Sequence, residues 1–440
     1  MYRGKDRGED YLFKELMPFG GQLEEENRWL KIKGMIPWGE LEGEYAKYFS
    51  DRGRPGLDGR LVIGLFLLKH MSNKSDREVI WELQENVYWQ AFCSFEGFVR
   101  SKQLNSSSLT KIRQRLGPKF TKELEEKTYR VLIKKKIIKG KGMLVDATVV
   151  PEKIKYPNDI GLLNDVRKWV VERLKEVSEI TGEKIRTYRR KAKRLYLSFA
   201  KRKQKTKKMI EQTKKQMLQY VKRNLGQIKD RVHQFDYFVQ KEIEKKIELA
   251  QKIYQQQYRM YKEKVNKIEG RVVSFWREYV RPIKRGKGGG KEVEFGPKVC
   301  LSHVDGMTFV DEFRHDNYSE AKVEIVEQQI KNYEERFGKK PVSLTGDQLY
   351  GNRENRQLLK DQEIRDAFKP LGRKSENSQR QEQYLRRKQR ERNLIEGDIG
   401  NAKEHYGLSG IRYHYVEGSE MWVRLGFLAK NLKIALARVS

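Results

Sequence analysis

Cysteine is almost absent, with two residues, Cys93 and Cys300, in a chain of 440. They stand far apart and have no Cys or His companion at metal-ligand spacing. That excludes a disulfide framework and a zinc site, and leaves reduced, buried thiols of a cytoplasmic protein as the expectation. Long apolar runs are missing as well. The longest covers residues 61–68, far short of the ~20 residues a spanning helix needs. The first residues, MYRGKDRGEDYLFKEL, carry charge of both signs and no apolar core followed by small residues, so no secretory signal is expected. The loop Gly286–Gly290 lacks the Gly-Lys-Ser/Thr ending of a nucleotide-phosphate loop, which argues against a nucleotide cofactor. His303, His315 and His405 are scattered and point to no imidazole-based mechanism.

Positive charge, by contrast, is plentiful. Lys and Arg number 94 against 61 Asp and Glu, for a formal net charge of +33. Such an excess calls for a polyanion, an anionic membrane surface or nucleic acid; nucleic acid leads, because each phosphate contacted releases condensed counterions. The charge is also concentrated. Residues 184–223 hold 17 Lys or Arg and a single acid, Glu211. Pairs such as Lys201 with Lys205 and Lys203 with Lys207 repel at helical i,i+4 spacing, so the segment is disfavoured without a polyanion. A DNA-tracking surface built from Arg189, Arg190, Lys193, Lys201, Arg202, Lys205 and Lys208 follows, with Lys284 and Arg285 as further candidates; a merely solvated helix face is the plain alternative.

The length implies two or three domains. Residues 1–138 read as helical. An apolar helix runs from about Gly56 to Met71, and Ser75 with Glu78 forms a capping box that opens the next. On that second helix Val79, Ile80 and Leu83 line one side, followed by Tyr88, Trp89 and Phe92, all best explained as core. A third helix, from Asn105 to Leu116, carries Lys111, Arg113 and Arg115 on a face that is either solvated or turned to phosphates. From Gly142 the texture changes to a β-branched run through Val150, which predicts a buried strand. Between Asp159 and Tyr279 there is no proline, and only isolated glycines at 161, 182, 226 and 270. Long helices are expected there, with Ile185, Tyr188, Leu195 and Phe199 on one face of a helix or coiled-coil hairpin. Strands return around Val299 to His303 and Thr308 to Arg314, joined by an Asp305-Gly306 turn. A helix from Ser319 to Phe337, a strand ending at Asp347, a helix from Arg353, a strand at 364–368 and a helix over 392–403 complete an α/β pattern.

Two acids sit in comparable places, Asp146 within the first strand and Asp347 at the end of a later one. On neighbouring strands, ~4.8 Å apart, their carboxylates would repel unless a cation lay between them, and hard oxygen ligands favour Mg²⁺ or Mn²⁺. With a third acid such a site supports two-metal phosphodiester chemistry. Glu396 is the candidate, since Arg392, Glu396 and Lys403 share one helix face. Asp305, Asp311, Asp316 and Asp398 read as structural.

The order Val145-Asp146-Ala147-Thr148, Gly346-Asp347-x2-Tyr350-Gly351-x-Arg353-Glu354-Asn355 and Arg392-x3-Glu396-x6-Lys403 resembles the insertion-sequence DDE transposases. The likeness extends over nearly the whole chain, taking in Arg54-Pro55-Gly56, Asn86-x-Tyr88-Trp89-Gln90-x-Phe92-Cys93, Tyr279-Val280-Arg281-Pro282-Ile283 and Val304-Asp305-Gly306. One position departs: Gln389 stands where the family signature often has Tyr. The resemblance implies a ribonuclease-H-like mixed sheet flanked by helices, spanning 139–158 and 284–440, with an all-α N-terminal domain and a basic helical arm, 159–283, inserted after the first strand. It implies Asp146, Asp347 and Glu396 as catalytic metal ligands, and Arg392 and Lys403 as holders of DNA phosphates near the cut. It further implies cleavage at terminal inverted repeats, joining of the freed 3′ ends to target DNA, a homodimer pairing two ends, and action on double-stranded DNA of the nucleoid. A nuclease on the same fold without strand transfer, an inactive DNA-binding descendant and a basic coiled-coil scaffold are the alternatives.

Overall fold

The computed structural model describes residues 18–50, 52–284, 293–371 and 379–439; Arg285 and the Gly286–Gly290 loop lie outside them. The chain forms two compact units, one from residues 1–152 with 297–440 and one from 153–296. Among the described residues no helix is long and apolar enough to cross a membrane.

The first unit opens with helices α1 (Arg28–Lys33), α2 (Trp38–Ala46), α3 (Gly59–Met71), α4 (Asp76–Glu85), α5 (Val87–Phe92) and α6 (Ser106–Lys134). Local chemistry sets their ends. Ser75 accepts from the Glu78 N–H while the Glu78 carboxylate accepts from the Ser75 N–H, which is the expected capping box. Asn86 separates α4 from α5 by accepting from the N–H groups of Tyr88 and Trp89. Within α6, Gly117 adopts φ +63° and Pro118 restarts the helix, a break that an ordinary side chain would resist. Val79, Ile80, Leu83, Trp89 and Phe92 are buried, as their spacing requires.

Arg113 departs from expectation. It is neither solvated nor open to phosphates, but buried, paired with Asp76 at 2.8 Å and stacked 3.7 Å over the Tyr413 ring. Its helical face meets protein, and the charge is kept only because Asp76 balances it.

Strand β1 (Gly142–Val149) follows. The second unit then intervenes, with α7 (Asp159–Thr181), α8 (Arg189–Lys201), α9 (Lys207–Lys229), α10 (Tyr237–Lys262), and the short pair β2 (Pro282–Lys284) and β3 (Val293–Phe295). Its core joins Leu163, Val170, Leu174, Val221, Ile247 and Ile253. Asp159 ties the base of the bundle, accepting from Lys214 at 2.7 Å and Arg271 at 2.6 Å. Helix α8 begins later than the apolar spacing implied. Gly182 ends α7 in a left-handed conformation, so Ile185 and Tyr188 lie in a connecting segment and only Leu195 and Phe199 belong to the helix. Lys284 is exposed at the end of β2 and belongs to this unit.

Back in the first unit come β4 (Lys298–Val304), β5 (Met307–Arg314), α11 (Val323–Phe337), β6 (Ser343–Thr345), α12 (Arg353–Asp361), β7 (Arg365–Asp366), α13 (Gln379–His405) and α14 (Val416–Val439). The five-stranded sheet has the order β5-β4-β1-β6-β7, antiparallel at β5-β4-β1 and parallel at β1-β6-β7. Asp305 and Gly306 both take positive φ, as a tight two-residue hairpin turn demands. Alternation along β1 divides its side chains between two cores. Met143 and Val145 join the large core shared with α3, α6 and α14, whereas Leu144 and Val150 face Ile395, Ala402 and Leu408.

Candidate active site

Asp146 lies in β1 opposite Leu301 of β4, two residues past the end of the β1-β6 ladder. Leu144 pairs with Thr345 in the parallel β1-β6 ladder. Two residues further along each chain stand Asp146 and Asp347, so the ladder directs both acids to the same level. Asp146 also shares the parity of Leu144, whose face is covered by Ile395 of α13. One residue past Ile395 is Glu396. A strand, the turn beyond a second strand and a helix therefore carry these three carboxylates toward the same end of the sheet.

The turn holding Asp347 is tightly made. A side chain on Gly346 would stand 2.8 Å from the Val145 methyl and 3.0 Å from the Tyr350 ring, so only glycine lets the turn close against β1. Asn352 caps α12 by accepting from the Asn355 N–H at 2.8 Å. The buried Asn355 amide donates to the carbonyls of Tyr350 and Ala321, each at 3.0 Å. The run from Gly346 to Asn355 is thus a scaffold for one acid. Asp347 itself accepts from the Gln348 N–H at 2.6 Å.

Arg392 links the acids. Its Nη1 donates to Asp347 Oδ1 and its Nη2 to Glu396 Oε1, both at 3.0 Å. Asp146 accepts from the Ala147 N–H at 2.8 Å. Burial, then the charge of Glu396 and that of Asp347, push the Asp146 carboxyl up to about 6, against the pull of the Ala147 N–H and Arg392. Asp146, Asp347 and Glu396 are thus near enough for their charges to act on one another, with Arg392 between the last two. Lys403 stands seven residues beyond Glu396 on the same helix, ~10 Å along its axis.

Among the described residues no three His, Cys, Asp or Glu side chains are gathered closely enough to hold a metal ion. The donor chemistry nevertheless suits a hard divalent cation, since carboxylate oxygens are what such an ion prefers, and binding would relieve part of the burden that burial and then the charges of Glu396 and Asp347 place on the Asp146 carboxyl. With Arg392 bonded to two of the acids, a cation on both would take over the neutralising role of the guanidinium.

Asp398 holds the helix that carries Glu396, a role hidden in the sequence. It accepts from Lys430 Nζ at 2.6 Å and Thr308 Oγ1 at 3.0 Å, with His303 Nδ1 at 3.1 Å. Lys430, Thr308 and His303 are all buried. The signal that could have revealed it is Lys430 with Asn431 inside an otherwise apolar helix, since a buried charge requires a partner. Gln389 also anchors α13, donating to the Ala367 carbonyl at 3.1 Å. The arm residues Arg189, Arg190, Lys193, Lys201, Arg202, Lys205 and Lys208 all lie in the second unit and are exposed. Lys214, within the same basic run, is buried against Asp159.

Comparison with known proteins identifies the family. A transposase domain (DUF772) matches residues 18–115, and a transposase DDE domain matches residues 344–433, which include Asp347, Arg392, Glu396 and Lys403. A Rhizobium meliloti protein named only as uncharacterized protein ORF8 in the nfe locus is 32% identical over 150 residues, covering 33% of this chain and 72% of the relative. No solved structure matches. Two transposase domains in order along the chain, together with that relative, have one common explanation: the chain belongs to the insertion-sequence DDE transposases, metal-dependent enzymes that cut DNA and join its strands.

Proposed function

We propose that the enzyme cleaves DNA at the terminal inverted repeats of an insertion sequence and joins the freed 3′ ends to target DNA, with Asp146, Asp347 and Glu396 as its catalytic carboxylates. The observation that carries this reading is the two ion pairs of Arg392, to Asp347 and to Glu396, beside an Asp146 carboxyl raised first by burial and then by the charges of both acids. The three acids would hold Mg²⁺ or Mn²⁺, which when bound supplies charge neutralisation for the attacking and leaving oxygens of phosphodiester exchange. Arg392 and Lys403, on one face of α13, would hold the DNA backbone beside the scissile phosphate. Asp398 and Gln389 keep that helix in place.

In this reading the helices of residues 1–138 bind element ends and pair two copies, residues 139–158 with 284–440 form a ribonuclease-H-like catalytic domain, and the arm over 159–283 tracks duplex DNA. A homodimer acting on chromosomal DNA in the cytoplasm is the working unit. The mixed five-stranded sheet supports the catalytic part, and the exposed cations of α8 support the arm.

Asp146→Asn, Asp347→Asn and Glu396→Gln should each reduce cleavage of an inverted-repeat duplex below detection, while retention of the same duplex in a gel-shift assay stays within about threefold of wild type. Each exchange removes one ligand charge at nearly constant volume. Cleavage surviving in one variant would remove that residue from the site. Nicking without any joined product on a matched end would favour a plain nuclease.

A further inference from the structure

The far end of the helical arm presents apolar side chains to solvent. Helix α7 runs 23 residues outward from the base and α10 runs 26 residues back, so the turn between α9 and α10 lies ~35–39 Å from the base. There Phe238 is 83% exposed, Tyr237 62% and Val239 42%, and at the same end of α7 Ile180 is 59% exposed. Packing keeps this end in place. Phe235 is buried beneath it, and Arg231 bonds Glu183 at 2.6 Å, tying the turn to the segment after α7. Four large apolar side chains at one tip mark a contact surface, because single exposed residues need no explanation but a cluster does.

Charge identifies what it meets. Residues 175–183 and 229–245 carry five basic and seven acidic side chains, whereas 184–223 carries 17 basic and one acidic. Phosphates are therefore drawn to the flank of the arm and not to its end. Two copies of a chain with net charge +33 repel over most of their surface. At the tip the charges nearly cancel, and signs alternate along Lys241-Glu242 and Glu244-Lys245, which permits complementary pairing across a two-fold axis. We propose that the arm tip, centred on Phe238, docks on the same tip of a second copy of this chain. The pairing rests on the two-copy reading above and assigns to it a surface outside both transposase-domain matches.

Cysteine chemistry offers a clean test, because Cys93 and Cys300 are both buried. In the full-length protein, Phe238→Cys should cross-link into a covalent dimer with a bis-maleimide at least about tenfold faster than Lys252→Cys, an exposed site midway along α10. Phe238→Glu should weaken self-association by at least about tenfold in sedimentation velocity, while its Mg²⁺-dependent nicking of a single end is retained. Since Phe238 is exposed, neither change should unfold the chain. Equal cross-linking at both positions, or a Phe238→Glu protein that associates like wild type, overturns the proposal. Loss of duplex binding with association intact also overturns it, in favour of contact between the tip and DNA. Failure of the catalytic-carboxylate variants would leave these results unaffected, so the two ideas fall separately.

Discussion

His70 is fully enclosed beside Trp422, its ring Nδ1 3.3 Å from the Tyr406 carbonyl. Burial first, then the neighbouring Lys69, depress its pKa to about 3 from an ordinary 6.5; Arg113 and Arg412 add to the depression, and the bond to the Tyr406 carbonyl opposes it. The sign of the stability effect follows. Between pH 6.5 and pH 3 the unfolded chain binds a proton that the folded chain does not, so stability falls as pH falls through that window. At about 1.4 kcal/mol per pH unit, His70 alone should cost about 2 kcal/mol between pH 6.5 and pH 5. Denaturant unfolding of wild type and His70→Asn at the two pH values checks this, because the variant should lack that part of the decline. Equal declines would show that His70 is charged in the folded state. Arg392 illustrates the opposite balance, a cation left partly exposed between two acids to which it bonds.

Helix α13 shows how an element, and not a lone residue, sets the site. Asp398 ties it to Thr308 and His303 of the β4-β5 hairpin and to Lys430 of α14. Asp398→Asn leaves Lys430 buried without its counter-charge, which should cost about 3 kcal/mol and reduce cleavage through displacement of Glu396. Adding Lys430→Met should recover most of the stability in thermal unfolding but not the cleavage. Unchanged stability in the single variant would show that the contact is not formed. Much of this architecture is legible in the sequence because periodicity and capping are local: the Ser75 box, strand β1 and the Asp305-Gly306 turn can all be read from a few residues. Helix α14 is not legible in that way. It is apolar on nearly every side, so no amphipathic stripe marks it, and its Lys430 and Asn431 make sense only through partners more than thirty residues away. Arg113 is hidden for the same reason. Its partners, Asp76 and Tyr413, are 37 and 300 positions distant, and a basic residue on a helix reads locally as solvated. The acids of the candidate site fall between these extremes, since an acid inside a β-branched strand marks Asp146 and a strand end marks Asp347, while Glu396 depends on which face of α13 meets β1.

Across the whole molecule, the densest run of exposed cations and the three candidate carboxylates stand in different units. The exposed cations of α8 and the α8-α9 link belong to one compact unit, and Asp146, Asp347 and Glu396 to the other. Attraction to duplex DNA and the chemistry of cleavage should then respond to different substitutions. On the proposed reading of the arm, replacing Lys201, Arg202 and Lys205 by Gln would remove three phosphate partners, so the slope of log affinity against log salt should become shallower by about 2.5 to 3, with affinity at physiological salt falling by about 10- to 100-fold. At saturating protein the single-turnover cleavage rate of the bound complex should stay within about threefold of wild type, because the cations act before the chemical step. Asp146→Asn should give the reverse pattern, with an unchanged salt slope and no cleavage. Fluorescence anisotropy over a salt series, paired with rapid-quench cleavage, measures both quantities on one duplex. An unaltered slope in the triple variant would mean that these cations face solvent and that the duplex is held elsewhere.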